Sequence, residues 1–117
     1  MTSSVLVVED DPSIRSGLMA LLQMRGHSVA TAGSVAEAAS QLDADTPTHL
    51  VLDLNLPDGP GTEILQRIRI ASLSVRVALV TGASDTSLMN EARTLGVDAV
   101  FIKPPDWDEL LDWVSDA

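Results

Sequence analysis

The chain has 117 residues and a mass of 12.4 kDa, which suits one domain with a single core. Its formal net charge of −10 disfavours direct binding of nucleic acid, because like charges repel. The absence of cysteine excludes disulfides and zinc–thiolate sites. The N-terminus has no basic flank and only a short apolar run at residues 5–8, so we expect no signal peptide, no membrane span and a cytoplasmic location.

The first third of the chain predicts a strand, a helix and a second strand. Residues 5–8 form an unbroken apolar run that is typical of a strand covered on both faces. Asp11 followed by Pro12 predicts the N-cap and first residue of a helix, and Gly26 predicts its end. Residues 28–31 predict a weaker second strand.

The middle third continues the alternation. Ser34 and Glu37 have the spacing of a capping box and predict a helix that runs to Leu42. Residues 50–52 predict a third strand. We expect residues 57–61 to form a loop without regular structure, because proline and glycine there interrupt helices and strands.

The last part of the chain predicts two more strands, at residues 77–80 and 99–102. Apolar positions with helical spacing predict the three remaining helices: Ile64, Leu65 and Ile68; Leu88, Ala92 and Leu95, with Gly96 as the stop; and Trp107, Leu110, Leu111 and Val114. Five strand–helix pairs indicate a single α/β domain, with a five-stranded parallel sheet covered by helices on both faces. Ligands of such doubly wound sheets bind beyond the carboxyl ends of the strands.

Charged side chains stand where these strands end. Glu9 and Asp10 follow the first strand, Asp53 the third and Lys103 the fifth. Two carboxylates about 4 Å apart repel by about 4 kcal/mol at an effective dielectric near 20, so a convergent cluster favours a bound cation. Ligands that offer only oxygen favour Mg²⁺ or Ca²⁺, and a site that leaves positions for phosphate oxygens suits Mg²⁺.

Phosphoryl chemistry fits the same strand ends. Lys103 is the only lysine of the chain, and its ammonium suits a phosphoryl oxygen. The hydroxyl of Thr81 can donate to a second oxygen. An aspartate such as Asp53 can attack phosphorus to give an acyl phosphate. Pro104 restricts Lys103 to extended backbone and makes the bond between them a candidate cis peptide.

Each of these residues also has a simpler interpretation. The acids at residues 9–11 could be negative charges near a helix N-terminus, with Asp11 only a cap. Asp53 alone could be a turn residue, Thr81 a β-branched strand residue and Lys103 a solvated surface charge. The coincidence of all of them at predicted strand ends favours a site.

The order and spacing of these motifs resemble those of the response-regulator receiver domains of two-component signalling, over essentially the full chain, residues 1–117. The segments that carry the resemblance are residues 7–15, 51–61, 80–83 and 101–104. The resemblance implies a flavodoxin-like fold with strand order 2-1-3-4-5. It also implies that Asp53 is the phospho-acceptor. Asp10, Asp53 and the backbone carbonyl of Asn55 would bind Mg²⁺, with Glu9 contributing mostly through water.

The resemblance further implies that Thr81, Lys103 and the backbone N–H of Ala83 hold the phosphoryl group. Many family members carry an aromatic switch residue three positions before the lysine, where this chain has Val100. Neighbouring strand residues point to opposite faces, so we do not expect Phe101 to replace it.

The implied partners are a sensor histidine kinase or a phosphotransfer protein, and family members also lose the phosphoryl group by hydrolysis that they partly catalyse themselves. The side chain of Asn55 is a candidate for influencing that hydrolysis. An output domain, a partner protein and a phosphorylation-dependent homodimer remain open. The sequence ends at Ala117, which is compatible with a stand-alone receiver and with part of a longer regulator.

Three other functions are compatible with this fold. A flavin-binding module would need aromatic residues, which make up only 3% of the chain. A phosphohydrolase often has a second aspartate two residues after its nucleophile, a position that Asn55 occupies here. A degenerate receiver could act only as a docking module, which the acidic residues and Lys103 argue against.

Trp113 lies off the apolar helix face and could anchor a partner or cover the core edge. His27 and His49 are expected to be a turn residue and a strand-start residue.

Overall fold

A five-stranded parallel sheet forms the centre of the computed structural model, which describes residues 3–82, 84 and 86–116. The strands are β1 (Ser4–Val8), β2 (Ser28–Ala32), β3 (His49–Leu52), β4 (Arg76–Thr81) and β5 (Ala99–Ile102). They lie in the order β2-β1-β3-β4-β5, and every neighbouring pair is parallel. The predicted strand order is therefore confirmed, and β1, β3 and β4 occupy the interior of the sheet.

Five helices cover the two faces of the sheet. They are α1 (Pro12–Met24), α2 (Val35–Ala44), α3 (Thr62–Ile70), α4 (Thr86–Leu95) and α5 (Trp107–Ser115). One apolar layer joins the sheet to α2, α3 and α4, and the other joins it to α1 and α5. Alternate residues of β1 enter opposite layers, with Leu6 in the first and Val7 in the second. This arrangement confirms the doubly wound (βα)₅ architecture.

The first two helices begin as their capping residues predict. The carboxylate of Asp11 accepts hydrogen bonds from the backbone N–H groups of Ser13 at 2.8 Å and Ile14 at 3.1 Å, and Pro12 is the first residue of α1. The hydroxyl of Ser34 accepts from the N–H of Glu37 at 3.1 Å. The Glu37 carboxylate accepts from Gly33, one residue before the cap, at 2.7 Å.

The loop after β3 contradicts one expectation. Residues 57–61 were expected to lack regular structure, but Asn55–Leu56 and Gly59–Pro60 form a two-residue antiparallel pair. Gly59 has a φ of +154°, a conformation that residues with a side chain rarely adopt. A ladder this short can include Pro60, because proline still offers a carbonyl acceptor. This hairpin shapes the segment that follows Asp53.

His49 and Trp113 cover the end of the sheet at which the strands begin. Trp113 is half-buried and meets the ring of His49 edge-on, with centroids 5.4 Å apart, while the guanidinium of Arg76 lies 5.1 Å from the Trp113 ring centroid. Burial, together with the charge of Arg76, lowers the pKa of His49, which favours its neutral form. These contacts support the role of Trp113 as a cover for the core edge.

His27 is buried and makes two tertiary contacts, whereas the sequence suggested only a turn residue. Its Nδ1 accepts from the backbone N–H of Ser3 at 3.2 Å, and its Nε2 lies 3.2 Å from the hydroxyl of Ser115. His27 therefore connects the start of the chain to the end of α5. None of the helices in the described part of the chain has the length and apolarity needed to cross a membrane.

Gly61 and Gly17 offer a matched pair of substitutions. A Cβ added at Gly61 would lie 2.3 Å from the backbone oxygen of Asp53, whereas one added at Gly17 would have no neighbour within 4 Å. We expect Gly61→Ala to lower the free energy of unfolding by about 1–3 kcal/mol through steric overlap. Gly17→Ala, in the middle of α1, should raise it by about 0.5–1 kcal/mol. Urea denaturation measures both, and equal stability of the two variants would contradict the close approach at Gly61.

Candidate functional site

Three carboxylates converge where β1 and β3 end. Glu9, Asp10 and Asp53 each place a carboxylate oxygen within 4.8 Å of the others. The sheet ladder continues into this cluster, because the N–H of Glu9 donates to Ala32 and that of Asp53 donates to Val8, both at 3.0 Å. Glu9 and Asp53 are buried and Asp10 is exposed, so the cluster has a buried floor and one side open to solvent.

The ammonium of Lys103 joins two of these carboxylates. Its Nζ donates to Oε1 of Glu9 at 2.8 Å and to Oδ2 of Asp53 at 2.9 Å. The side chain of Lys103 is 29% exposed, against 6% for each of its partners. The structure therefore brings Glu9, Asp53 and Lys103 together, as their positions after strands of the sequence predict. The alternative, in which Lys103 is only a solvated surface charge, is wrong.

Both oxygens of Asp53 have hydrogen-bond partners. Oδ2 accepts a hydrogen bond from Nζ of Lys103, and Oδ1 accepts one from the backbone N–H of Asn55 at 3.0 Å. Next to Asp53 in the chain, the carbonyl of Leu54 accepts a hydrogen bond from the N–H of Gly61 at 2.8 Å, which closes the base of the hairpin. The Asp53 carboxylate is therefore held from two sides, by the hairpin and by the lysine.

Burial and the hydrogen bonds within the cluster shift the pKa of two groups. Burial raises the pKa of the Glu9 carboxyl to about 7, although hydrogen bonds from Lys103 and from the N–H of Asp11 lower it. Burial alone lowers the pKa of Lys103, but its hydrogen bonds to Glu9 and Asp53 outweigh that effect and raise it. Lys103 thus remains an ammonium at neutral pH, and the cluster retains excess negative charge that a further cation can offset.

Arg15 supports the loop that carries the acidic pair, a role that sequence reasoning missed. Its Nη1 donates to the backbone carbonyl of Glu9 at 2.8 Å. A Cβ at Gly33 would lie 2.7 Å from the same Nη1, so the glycine leaves space for the guanidinium. The sequence signals were the position of Arg15 in the first turn of α1 and its place in the segment 7–15 that carries the resemblance.

Thr81 is the last residue of β4, and Lys103 directly follows the last residue of the adjacent strand β5. Thr81 is fully buried, and its backbone carbonyl accepts from the N–H of Lys103 at 2.9 Å. The Lys103–Pro104 peptide bond is cis. Ala83, whose N–H the resemblance placed at the phosphoryl group, lies outside the described residues.

Val100 and Phe101 pack on opposite sides of the sheet, as strand alternation predicts. Val100 packs against the layer of α2, α3 and α4, and Phe101 packs against that of α1 and α5. Phe101 therefore does not occupy the position at which many receivers carry their switch aromatic.

The donors of this cluster fit a hard divalent cation. The cluster offers carboxylate oxygens, and the chain has no cysteine. Mg²⁺ commonly uses one or two carboxylates and keeps several waters. The three acids can supply that number, and the exposed side at Asp10 leaves access for water. The residues present therefore suit Mg²⁺ better than a thiolate-binding metal.

Removing the lysine amine should destabilise the protein in metal-free buffer. We expect Lys103→Ala to lower the free energy of unfolding by about 2 kcal/mol, because it leaves two buried carboxylates without their shared donor. The control Arg67→Ala removes an exposed ion pair with Asp43 and should cost less than about 1 kcal/mol. Chemical denaturation in a chelating buffer compares the two, and equal losses would show that Lys103 acts only as a surface charge.

Comparisons with known proteins agree with this geometry. Residues 5–115 match the family model described as the response regulator receiver domain. The acid tolerance regulatory protein ActR of Rhizobium meliloti (strain 1021) is 33% identical over 92% of this chain and 56% of its own length. The sporulation initiation phosphotransferase F of Bacillus subtilis (strain 168) is 29% identical over 98% of this chain and 93% of its own. The chain spans about half the length of ActR and of other matching regulators.

Solved structures show the same fold. A CheY-like response regulator receiver domain protein from Methanospirillum hungatei JF-1 has a TM-score of 0.91 at 24% identity, covering 98% of this chain and 92% of that one. A crystal structure described as a putative response regulator from Chloroflexus aurantiacus J-10-fl has a TM-score of 0.87 at 26% identity, covering 98% and 96%. The chain belongs to the response regulator receiver domain family, the signalling domains of two-component systems.

Proposed function

We propose that the chain is a single receiver domain whose Asp53 accepts a phosphoryl group from the phosphohistidine of a sensor histidine kinase or a phosphotransfer protein. The observation that carries this proposal is the Lys103 ammonium, which lies 2.8 Å from Glu9 and 2.9 Å from Asp53. An ammonium beside a buried carboxylate can stabilise the negative charge that a phosphoryl group brings. A general role as phosphoryl acceptor is the property of the family.

The proposed transfer forms one bond and breaks one. A carboxylate oxygen of Asp53 attacks phosphorus, the O–P bond forms, and the N–P bond of the donor phosphohistidine breaks. The imidazole leaves with the electron pair and takes up a proton. Lys103 then donates to a phosphoryl oxygen, and Thr81 and the N–H of Ala83 are the proposed further donors.

Receiver domains generally bind Mg²⁺ at an acidic pocket, and we propose that Asp10, Asp53 and the backbone carbonyl of Asn55 hold it here, with Glu9 acting mostly through water. When bound, the ion supplies positive charge that offsets the carboxylates and the phosphoryl oxygens. The convergence of Glu9, Asp10 and Asp53 within 4.8 Å supports this ligand set.

Loss of the phosphoryl group completes the proposed cycle. Water attacks phosphorus, the O–P bond to Asp53 breaks, and inorganic phosphate leaves. Asn55, two residues beyond the acceptor, is the proposed side chain that influences this attack. Response regulators act with histidine kinases and output domains. The identity of such partners here, homodimer formation and the cytoplasmic location stay predictions.

Asp53→Asn tests the acceptor. We expect a small acyl phosphate donor such as acetyl phosphate, with Mg²⁺, to add one phosphoryl group to the wild-type protein and none to the variant, because an amide oxygen is a much weaker nucleophile than a carboxylate. Intact-mass measurement gives the result. Asp43→Asn, on α2 and paired with Arg67, is the matched control and should be labelled as the wild type is. Labelling of Asp53→Asn to the wild-type extent would refute the assignment.

Mg²⁺ should raise the melting temperature relative to a chelating buffer. At about ten times its dissociation constant, a ligand that binds only the native state should raise Tm by about 5 °C in a protein of this size. Asp10→Asn should reduce this rise, whereas Asp43→Asn should leave it unchanged. Scanning calorimetry measures the shift, and a melting curve that millimolar Mg²⁺ does not move would contradict the metal site.

A further inference from the structure

Asp58 caps a helix to which it does not belong. It lies at the turn of the short hairpin that follows Asp53, and its carboxylate points to the start of α2. Oδ1 accepts from the backbone N–H of Val35 at 2.8 Å, and Oδ2 accepts from that of Ala36 at 3.0 Å. Both oxygens of this exposed carboxylate thus accept hydrogen bonds from the first two N–H groups of α2, a helix more than twenty residues earlier in the chain.

Helix α2 is a fixed support for this contact. Ala38 and Leu42 of α2 are buried in the apolar layer that covers the sheet. The next N–H of the helix, that of Glu37, is already satisfied by the hydroxyl of Ser34. Asp58 and Ser34 therefore cap the same helix end, but only Asp58 connects that end to the hairpin.

The hairpin links Asp58 to the carboxylate of Asp53, the proposed phospho-acceptor. Asn55 pairs with Pro60 and Leu56 pairs with Gly59, so the segment on either side of Asp58 is one short ladder. At its base, the N–H of Asn55 donates to Oδ1 of Asp53 at 3.0 Å. A displacement of the hairpin would therefore move a group that directly contacts the Asp53 carboxylate.

We infer that Asp58 is a positioning residue, which fastens the hairpin to α2 and thereby fixes Asn55 against Asp53. Its consequence for phosphoryl transfer rests on the proposed function, because that proposal assigns Asn55 its carbonyl ligand and Asp53 its acceptor role. Nothing in the spacing around Asp53 indicates this contact, since the partners of Asp58 lie in another strand–helix unit.

The charge of Asp58 is part of the attachment. Hydrogen bonds from Val35 and Ala36 lower the pKa of Asp58, so the side chain is a carboxylate at neutral pH. A carboxylate offers two acceptor oxygens, and the positive end of the helix dipole favours its charge. An amide at this position offers only one acceptor oxygen, so Asp58→Asn should retain about half of the attachment, by acceptor count.

Hydrogen–deuterium exchange of the unphosphorylated protein, without metal, tests the attachment itself. In Asp58→Ala we expect the amide of Asn55 to exchange about tenfold faster than in the wild type, because the hairpin opens more often. Asp58→Asn should give an intermediate rate. Ser34→Ala is the matched control, since it removes a cap from the same helix end and should leave the Asn55 amide protected.

A kinetic measurement then tests the consequence. Asp58→Ala should weaken Mg²⁺ binding in calorimetry and slow the labelling of Asp53 by acetyl phosphate, each by up to about tenfold. Direct loss of an outer-shell partner costs about 10–100-fold, and Asp58 acts on Asn55 only through the hairpin. Ser34→Ala should keep both at wild-type values even where it lowers Tm as much as Asp58→Ala does.

The outcomes separate the two proposals. Unchanged exchange at Asn55 in Asp58→Ala, or an equal increase in Ser34→Ala, would overturn the role of Asp58. Faster exchange with unchanged Mg²⁺ affinity and labelling rate would overturn the link from Asp58 to the reaction. A wild-type protein that takes up no phosphoryl group while Asp58→Ala still loosens the hairpin would refute the proposed function and leave the attachment standing.

Discussion

The rest of the site depends on one ammonium placed between two buried carboxylates. Neighbouring strands lie about 4.8 Å apart, and β5, which Lys103 directly follows, is separated from β3 by β4. The four-carbon stem of lysine spans that gap and delivers a point charge to both Glu9 and Asp53. Without such a charge, three convergent acids would repel one another in a partly buried setting. The parallel sheet brings the strand ends together, and the ammonium of Lys103 reduces the repulsion between the acids that gather there.

Local signals predicted much of the fold and of the site. Asp11 and Pro12 specify the start of α1 because a capping carboxylate and a residue without an N–H each satisfy a local requirement of a helix terminus. The carboxyl ends of parallel strands meet at one edge, so Asp53 and Lys103 could be placed together before any distance was known. The order of the strands, however, came from resemblance, since periodicity alone does not determine which strands are neighbours.

The contacts that sequence reasoning missed are specific to particular side chains, and two of the three join distant parts of the chain. Asp58 reaches α2, His27 reaches Ser3 and Ser115, and Arg15 turns back to the carbonyl of Glu9. None of these follows from a local period or a capping motif. The contacts of Asp58 and His27 depend on how separate strand–helix units pack, and that of Arg15 depends on how the loop between β1 and α1 folds back. The hairpin at Asn55 was missed for a related reason: proline and glycine signal interruption, but they also permit a two-residue ladder around a tight turn.

The solitary lysine makes the centre unusually accessible to spectroscopy. Because Lys103 is the only lysine in the chain, isotope-labelled lysine introduces a single side-chain amine signal, and that signal arises from the nitrogen that contacts Glu9 and Asp53. Its chemical shift would report directly on the charge and occupancy of the centre without an added probe. The observed nitrogen is thus the atom that contacts both buried acids.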